Sequence, residues 1–282
     1  MHHAFSVFRG EDGFTLLELL IAAFLSVLVA GAAMEFYVSQ HDSWITQESV
    51  AEVQQSLRVC TVELSTKLRN AGGGLPQGFP SVVAGDGNPD TITVRYSETG
   101  ASLVVGDSTT GDQANPVLID PGSDLSPFSI GERIYIYRPP SGPGEFFTVT
   151  NLVDNPGTDW DEVHHQGQDL ALDPEAGDVI VQLDEFRYWI DNVTDSLHPR
   201  MMRETNGAVE VYAEEIRDLQ FHYALTNDSV VAAPPAGSRI AAVEFFVAAQ
   251  TGKQNLTLAG DAGRLTRRNT SRVTLRNRPG AG

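Results

Sequence analysis

The spacing of apolar positions changes twice along the chain. Between Phe14 and Met34 almost every side chain is apolar, and Glu18 is the only ionisable one. A run of that length spans a bilayer as a helix. Beyond it Val50, Val53, Leu57, Cys60, Leu64 and Leu68 recur every three or four residues, with Glu48, Glu52, Gln55, Arg58 and Lys67 on other faces. That is the stripe of a helix with one packed side. No proline interrupts residues 14–70, so both halves are expected in one continuous helix. Asn70-Ala71-Gly72-Gly73-Gly74 stops it, and Pro76 bars its continuation.

From Leu75 onward the apolar period falls to two, with turn residues between runs. Expected strands are Thr91–Tyr96, Ser102–Val105, Arg133–Arg138, Phe146–Leu152, Asp178–Leu183 and Phe186–Ile190, then Ala208–Tyr212, Ile216–Ala224, Ile240–Ala249 and Ser271–Arg276. Pro-Gly-rich connections such as Pro139-Pro140-Ser141-Gly142-Pro143-Gly144 separate them. No glycine-rich βα unit, second long helix or internal repeat is evident. The expected class is α+β: a long N-terminal helix packed on a β-rich domain.

Composition adds limits. The net charge is −18, which opposes a general nucleic-acid-binding surface. Cys60 is the only cysteine, so no intrachain disulfide forms, and the residue reads as a small core side chain. Residues 1–13 are too short and polar for a secretory signal, because the apolar run comes after them. A carboxylate in hydrocarbon costs a few kcal/mol and generally has a partner or a task. Were the chain cut between Gly13 and Phe14, Glu18 would lie one helical turn from a new ammonium group.

Gly13, then Phe14-Thr15-Leu16-Leu17-Glu18, then the apolar run resemble the N-terminus of type IV pilins and pseudopilins. The resemblance implies that residues 1–13 are a leader and that a prepilin peptidase cuts after Gly13 and methylates Phe14. Glu18 would neutralise the amine of a neighbouring subunit during assembly. The helix 14–74, with its transmembrane half 14–34, would anchor the chain by a single span in the inner membrane and later pack in a fibre at the cell surface. Residues 75–282 would form the globular domain outside. Three features depart from the family: Glu11 and Asp12 beside the cut, no proline kink in the apolar half, and no C-terminal disulfide.

A more diffuse likeness points to minor pilins of the PilW type. It rests on Asp90 to Tyr96, on Phe186-Arg187-Tyr188-Trp189-Ile190 with Met202-Arg203, on Ile216 to Tyr223, and on Val273-Thr274-Leu275-Arg276-Asn277. That implies a structural subunit of a tip or priming complex, without enzymatic activity or cofactor. Its partners would be other minor and major pilins, the peptidase and the inner-membrane assembly platform. A J-type pseudopilin of type II secretion, or an adhesive or DNA-binding tip pilin, are the alternatives. Residues 106–177 match nothing beyond a strand pattern.

Three clusters could carry other chemistry. Asp86-Gly87-Asn88-Pro89-Asp90 offers alternating oxygens but reads as a turn. Asp159 to His165, with Asp169, gathers carboxylates and imidazoles, yet adjacent His164 and His165 on a strand point apart. No metal site is expected at either. Arg264, Arg267, Arg268, Arg272, Arg276 and Arg278 form a basic C-terminal strip, expected to pair with carboxylates rather than with phosphates. No catalytic constellation is evident.

Overall fold

The computed structural model describes residues 14–76, 78–85, 87–140, 144–155, 157, 159–235, 237–252 and 264–275. Helix α1 runs Leu16–Asn70 without interruption. The chain divides into two compact units, one ending at Val50 and the other beginning at Ala51. In the first unit every described side chain from Phe14 to Trp44 is exposed, as expected for a helix without protein around it.

The strands, in chain order, begin with β1 (Val82–Gly85), β2 (Thr91–Tyr96), β3 (Ser102–Asp107), β4 (Val117–Ile119) and β5 (Arg133–Tyr137). Next come β6 (Gly144–Thr148), β7 (Asn151–Val153), β8 (Asp161–His164), β9 (Val179–Gln182), β10 (Asp184–Asp191) and β11 (Arg200–Thr205). The last are β12 (Ala208–Glu214), β13 (Ile216–Leu225), β14 (Val230–Val231), β15 (Ile240–Gln250) and β16 (Thr266–Thr274). They make a five-stranded sheet β1-β2-β10-β11-β12, a four-stranded sheet β14-β13-β15-β16, and a seven-stranded sheet β6-β5-β9-β3-β4-β8-β7.

The second half of α1 supplies one wall of the main core. Val53 and Leu57 are almost wholly buried and Cys60, Leu64 and Leu68 fully so, as the stripe demands. They pack with Ile92, Val94, Phe186, Tyr188, Met201, Phe221, Tyr223 and Phe245 from the five- and four-stranded sheets. At the end of α1 the glycine turn ties the helix to β2. Gly72 N–H donates to Arg95 O at 2.9 Å, and Ser97 N–H donates to Gly73 O at 2.8 Å. Gly74 has φ +71°, and a Cβ there would stand 2.9 Å from Ser97 Cβ, so only glycine lets the two segments close.

The seven-stranded sheet is an insertion. Strands β3 to β9 lie between β2 and β10 in sequence, while β2 and β10 pair directly, Tyr96 opposite Asp184. The insertion has its own core, including Leu103, Val105, Val117, Ile119, Ile134, Phe147, Val163 and Ile180. Leu75, Val181 and Leu183 join it to the post-helix segment, with Phe79 packed edge-on against Tyr135 and Phe146. Residues 106–177, legible in the sequence only as a strand pattern, thus belong to a sheet that the α1 core does not include.

Several expected strands differ. Phe146–Leu152 is two strands, because β6 pairs with β5 whereas β7 turns away to pair with β8. The final strand starts at Thr266, earlier than Ser271, and Arg276 lies outside the described residues. β1, β4, β8, β11 and β14 were not expected. β4 is a three-residue strand, and β11 reads Arg-Met-Met-Arg-Glu-Thr, whose side chains have little intrinsic strand preference. Cross-strand pairs hold β11 instead: Arg203 to Glu210 at 2.6 Å and Arg187 to Glu204 at 3.7 Å.

Candidate processing and assembly site

Gly13 lies outside the described residues; Phe14 is highly exposed and Glu18 stands in the first turn of α1. Thr15 precedes the helix as its N-cap. Its backbone N–H and its hydroxyl both donate to Glu18 Oε2 at 2.9 Å, and Glu18 N–H donates back to Thr15 Oγ1 at 3.3 Å. This is a reciprocal capping box, spelled by Thr15 and Glu18 three residues apart. It places a carboxylate at the positive end of the helix. Such a carboxylate satisfies local donors and can still accept an ammonium group.

The rest of the helical run is apolar enough, and long enough, to cross a membrane. A row of aromatic rings just beyond it was not expected from the sequence. Tyr37, His41 and Trp44 lie at i, i+4 and i+7, and their rings stack in turn, with centroids 6.1 and 6.5 Å apart. Tyrosine and tryptophan just past an apolar run are suited to a bilayer surface. The signal was available, since Phe36, Tyr37 and Trp44 gather within one short stretch.

The other clusters resolve into structural roles. Asp90 is buried and ties the β1–β2 turn to β13: Phe221 N–H donates to its Oδ2 at 2.8 Å and Gly87 N–H to its Oδ1 at 3.0 Å. Asp86 is outside the described residues. His164 meets Glu162 at 2.9 Å, whereas buried His165 meets the Gln168 carbonyl at 2.8 Å, so the two imidazoles do serve different surroundings. Among the described residues no group of three or more His, Cys, Asp and Glu could hold a metal ion. Arg267, Arg268 and Arg272 lie exposed on β16, and Arg276 and Arg278 are outside the described residues.

One partly buried polar network stands at the edge of the α1 core. The Tyr188 hydroxyl donates to Glu63 Oε1 at 2.7 Å, and Arg203 Nη1 donates to the same oxygen at 2.9 Å. Burial, then the bond to Glu63, holds the Tyr188 phenol above the ordinary tyrosine range. Burial, aided by the Glu63 charge, pushes the Cys60 thiol up to about 12. The network fixes the helix against β10 and β11.

The N-terminal segment carries the match to a known family. Residues 8–34 match the family described as Prokaryotic N-terminal methylation motif. The chain is type IV pilin-like. The motif and the long helix before a β-rich domain mark a structural protein rather than a known class of enzyme. No curated protein matches the chain in sequence. Among solved structures it is similar to the type IV-like pilin TTHA1219 from Thermus thermophilus, at 10% identity and a TM-score of 0.36. That alignment covers 79% of this pilin-like chain and 97% of the other, and so distant a likeness decides nothing by itself.

Proposed function

We propose that the protein is a minor type IV pilin of the PilW type, a structural subunit of a tip or priming complex needed for fibre assembly. In this reading residues 1–13 are removed by a prepilin peptidase, and Phe14 becomes the methylated first residue. Residues 14–34 cross the inner membrane once and residues 75–282 stand outside it. The assembly platform then moves the subunit into a fibre with other minor and major pilins. The observation that supports this most is Glu18. It is the only ionisable residue of an exposed apolar helix half, and it lies in the first turn, beside the proposed cut.

The test compares two substitutions. Glu18→Gln keeps a side-chain acceptor for the Thr15 donors but carries no charge, whereas Glu18→Ala removes both. Both variants should insert into the membrane at least as well as wild type, because a charge costly in hydrocarbon is gone. Neither should enter fibres, because a neighbour's amine loses its counter-ion. Full restoration of fibres by Glu18→Gln in a deletion strain would refute the charge-pairing role. Mass spectrometry of sheared fibres or membranes should also find methyl-phenylalanine as the first residue. An intact Met1 in cells with an active peptidase would exclude the processing step.

A further inference from the structure

Half of the described arginines of this acidic chain find carboxylates within their own domain. Arg95 and Arg133 share Glu185, Arg138 takes Glu175 and Asp178, Arg187 takes Glu204, Arg200 takes Asp191, and Arg264 takes Glu215. Arg58, Arg267 and Arg268, like Arg69, Arg239 and Arg272, have no carboxylate within ion-pair distance among the described residues. The first three lie together. With Leu57, Val62 and Asn269 they line a groove of about 390 Å³ between α1 and β16. Asn269 Nδ2 donates to Thr61 Oγ1 at 2.9 Å, fixing one wall to the other. The Arg268 guanidinium rests 4.9 Å from the centre of the Phe246 ring.

Two further features shape the groove. β16 is the last strand of its sheet, so its outer edge presents ladder groups that no described strand pairs. Its residues 266–270 are all exposed, and Val62 of the opposite wall is 57% exposed. With 37 acidic residues against 19 basic ones, carboxylates are plentiful in this chain, yet the described residues supply none here. Neighbouring cations without counter-ions repel one another, and a carboxylate-bearing partner relieves that repulsion through charge-assisted, fork-like hydrogen bonds.

We propose that this groove docks an acidic, extended segment of another protein subunit, which adds to the free edge of β16 and sets carboxylates on Arg58 and Arg267. Alternate side chains of an added strand point to one face, so acidic positions reach the arginines in register. Val62 takes the apolar atoms between them. A protein segment fits better than duplex nucleic acid, because the groove is partly apolar and the net charge of −18 repels an extended polyanion. That the partner is a subunit rests on the assembly reading; the chemistry of the groove does not.

The test uses the full chain in detergent micelles and a fluorescent peptide of alternating glutamate and valine, about eight residues long to match an ordinary strand. Anisotropy should show saturable binding, and hydrogen exchange should slow at residues 266–272. A lysine–valine peptide should not bind. Arg58→Glu with Arg267→Glu should weaken binding at least about tenfold, as expected when partly desolvated charge pairs are reversed. If that pair of reversals lowers the melting temperature, Arg58→Gln with Arg267→Gln provides the same comparison. No binding of the acidic peptide, equal binding of the lysine peptide, or indifference to the substitutions would overturn the proposal. Tighter binding of duplex DNA than of peptide, lost in the same variants, would assign the groove to nucleic acid instead. No fibre is needed, so this outcome is separate from that of the Glu18 variants.

Discussion

Replacing Glu63 by alanine removes the acceptor shared by Tyr188 and Arg203. Tyr188 is fully buried, so its hydroxyl is left without the partner it uses, at about 1–3 kcal/mol. Arg203 keeps Glu210 at 2.6 Å and its stack on Tyr212 at 4.6 Å. Its lost pair with Glu63 spans side chains 24% and 14% exposed, and after solvent screening is worth about 1 kcal/mol. The sum is about 2–4 kcal/mol, or roughly 5–15 °C in melting temperature for a domain of this size. Glu63→Gln retains a neutral acceptor and should cost about 1 kcal/mol. A double-mutant cycle sharpens the claim. Tyr188→Phe should destabilise the wild-type chain but cost little in the Glu63→Ala background, where the hydroxyl has no acceptor to lose. Thermal unfolding of the full chain in mild detergent, followed by circular dichroism, gives the four values. A Glu63→Ala change within about 0.5 kcal/mol of wild type, or a Tyr188→Phe effect equal in both backgrounds, would refute the reasoning.

Stability should fall as the pH rises from about 9 toward 12. The folded chain holds the Cys60 proton up to about 12 against an ordinary 9.0, and the Tyr212 proton up to about 12 against 10.0, so the unfolded chain releases them first. Melting temperatures across that range check this; a flat profile refutes it, and Cys60→Ala should flatten the earliest part of the decline. Replacing residues 98–182 by a short Gly-Ser turn should leave the α1 core folded, since Tyr96 and Asp184 are already direct neighbours. Loss of cooperative unfolding in that variant would mean that the inserted sheet supports the main core.

The helix was legible because its two halves obey two plain rules. An apolar run with one carboxylate fits a bilayer, and the stripe Val53, Leu57, Cys60, Leu64 and Leu68 keeps one face, all of it buried. Thr91–Tyr96 has the bounds its pattern predicts, because it alternates strictly and sits on a sheet with one buried face. Elsewhere tertiary context outweighed local pattern. β8 reads Asp-Glu-Val-His, a polar loop by composition, yet Asp161 is buried and accepts a bond from Asn155 N–H at 2.9 Å. The insertion escaped notice because its strands have the same period and turn residues as their hosts. Only the pairing of β2 with β10 across the intervening chain separates the two layers, and no spacing in the sequence encodes that. At the candidate site, Gly13, Phe14 and Glu18 stood out by register. The groove did not, because Arg58 and Arg267 lie far apart in sequence and meet only through the packing of α1 on β16.

The insertion leaves and rejoins its host sheet at adjacent strand ends, Tyr96 and Asp184, and this sets how the protein bears a load. A pull on the inserted sheet enters β2 and β10 together, at the same end and along their axes. Those two strands would have to slide past β1 on one side and β11 on the other. Antiparallel ladder bonds lie across the strands, so sliding stretches many of them at once, whereas peeling an edge strand opens them in succession. The attachment is therefore a shear joint. A tether fixed at the tip of the inserted sheet would meet this resistance where the sheet joins the body.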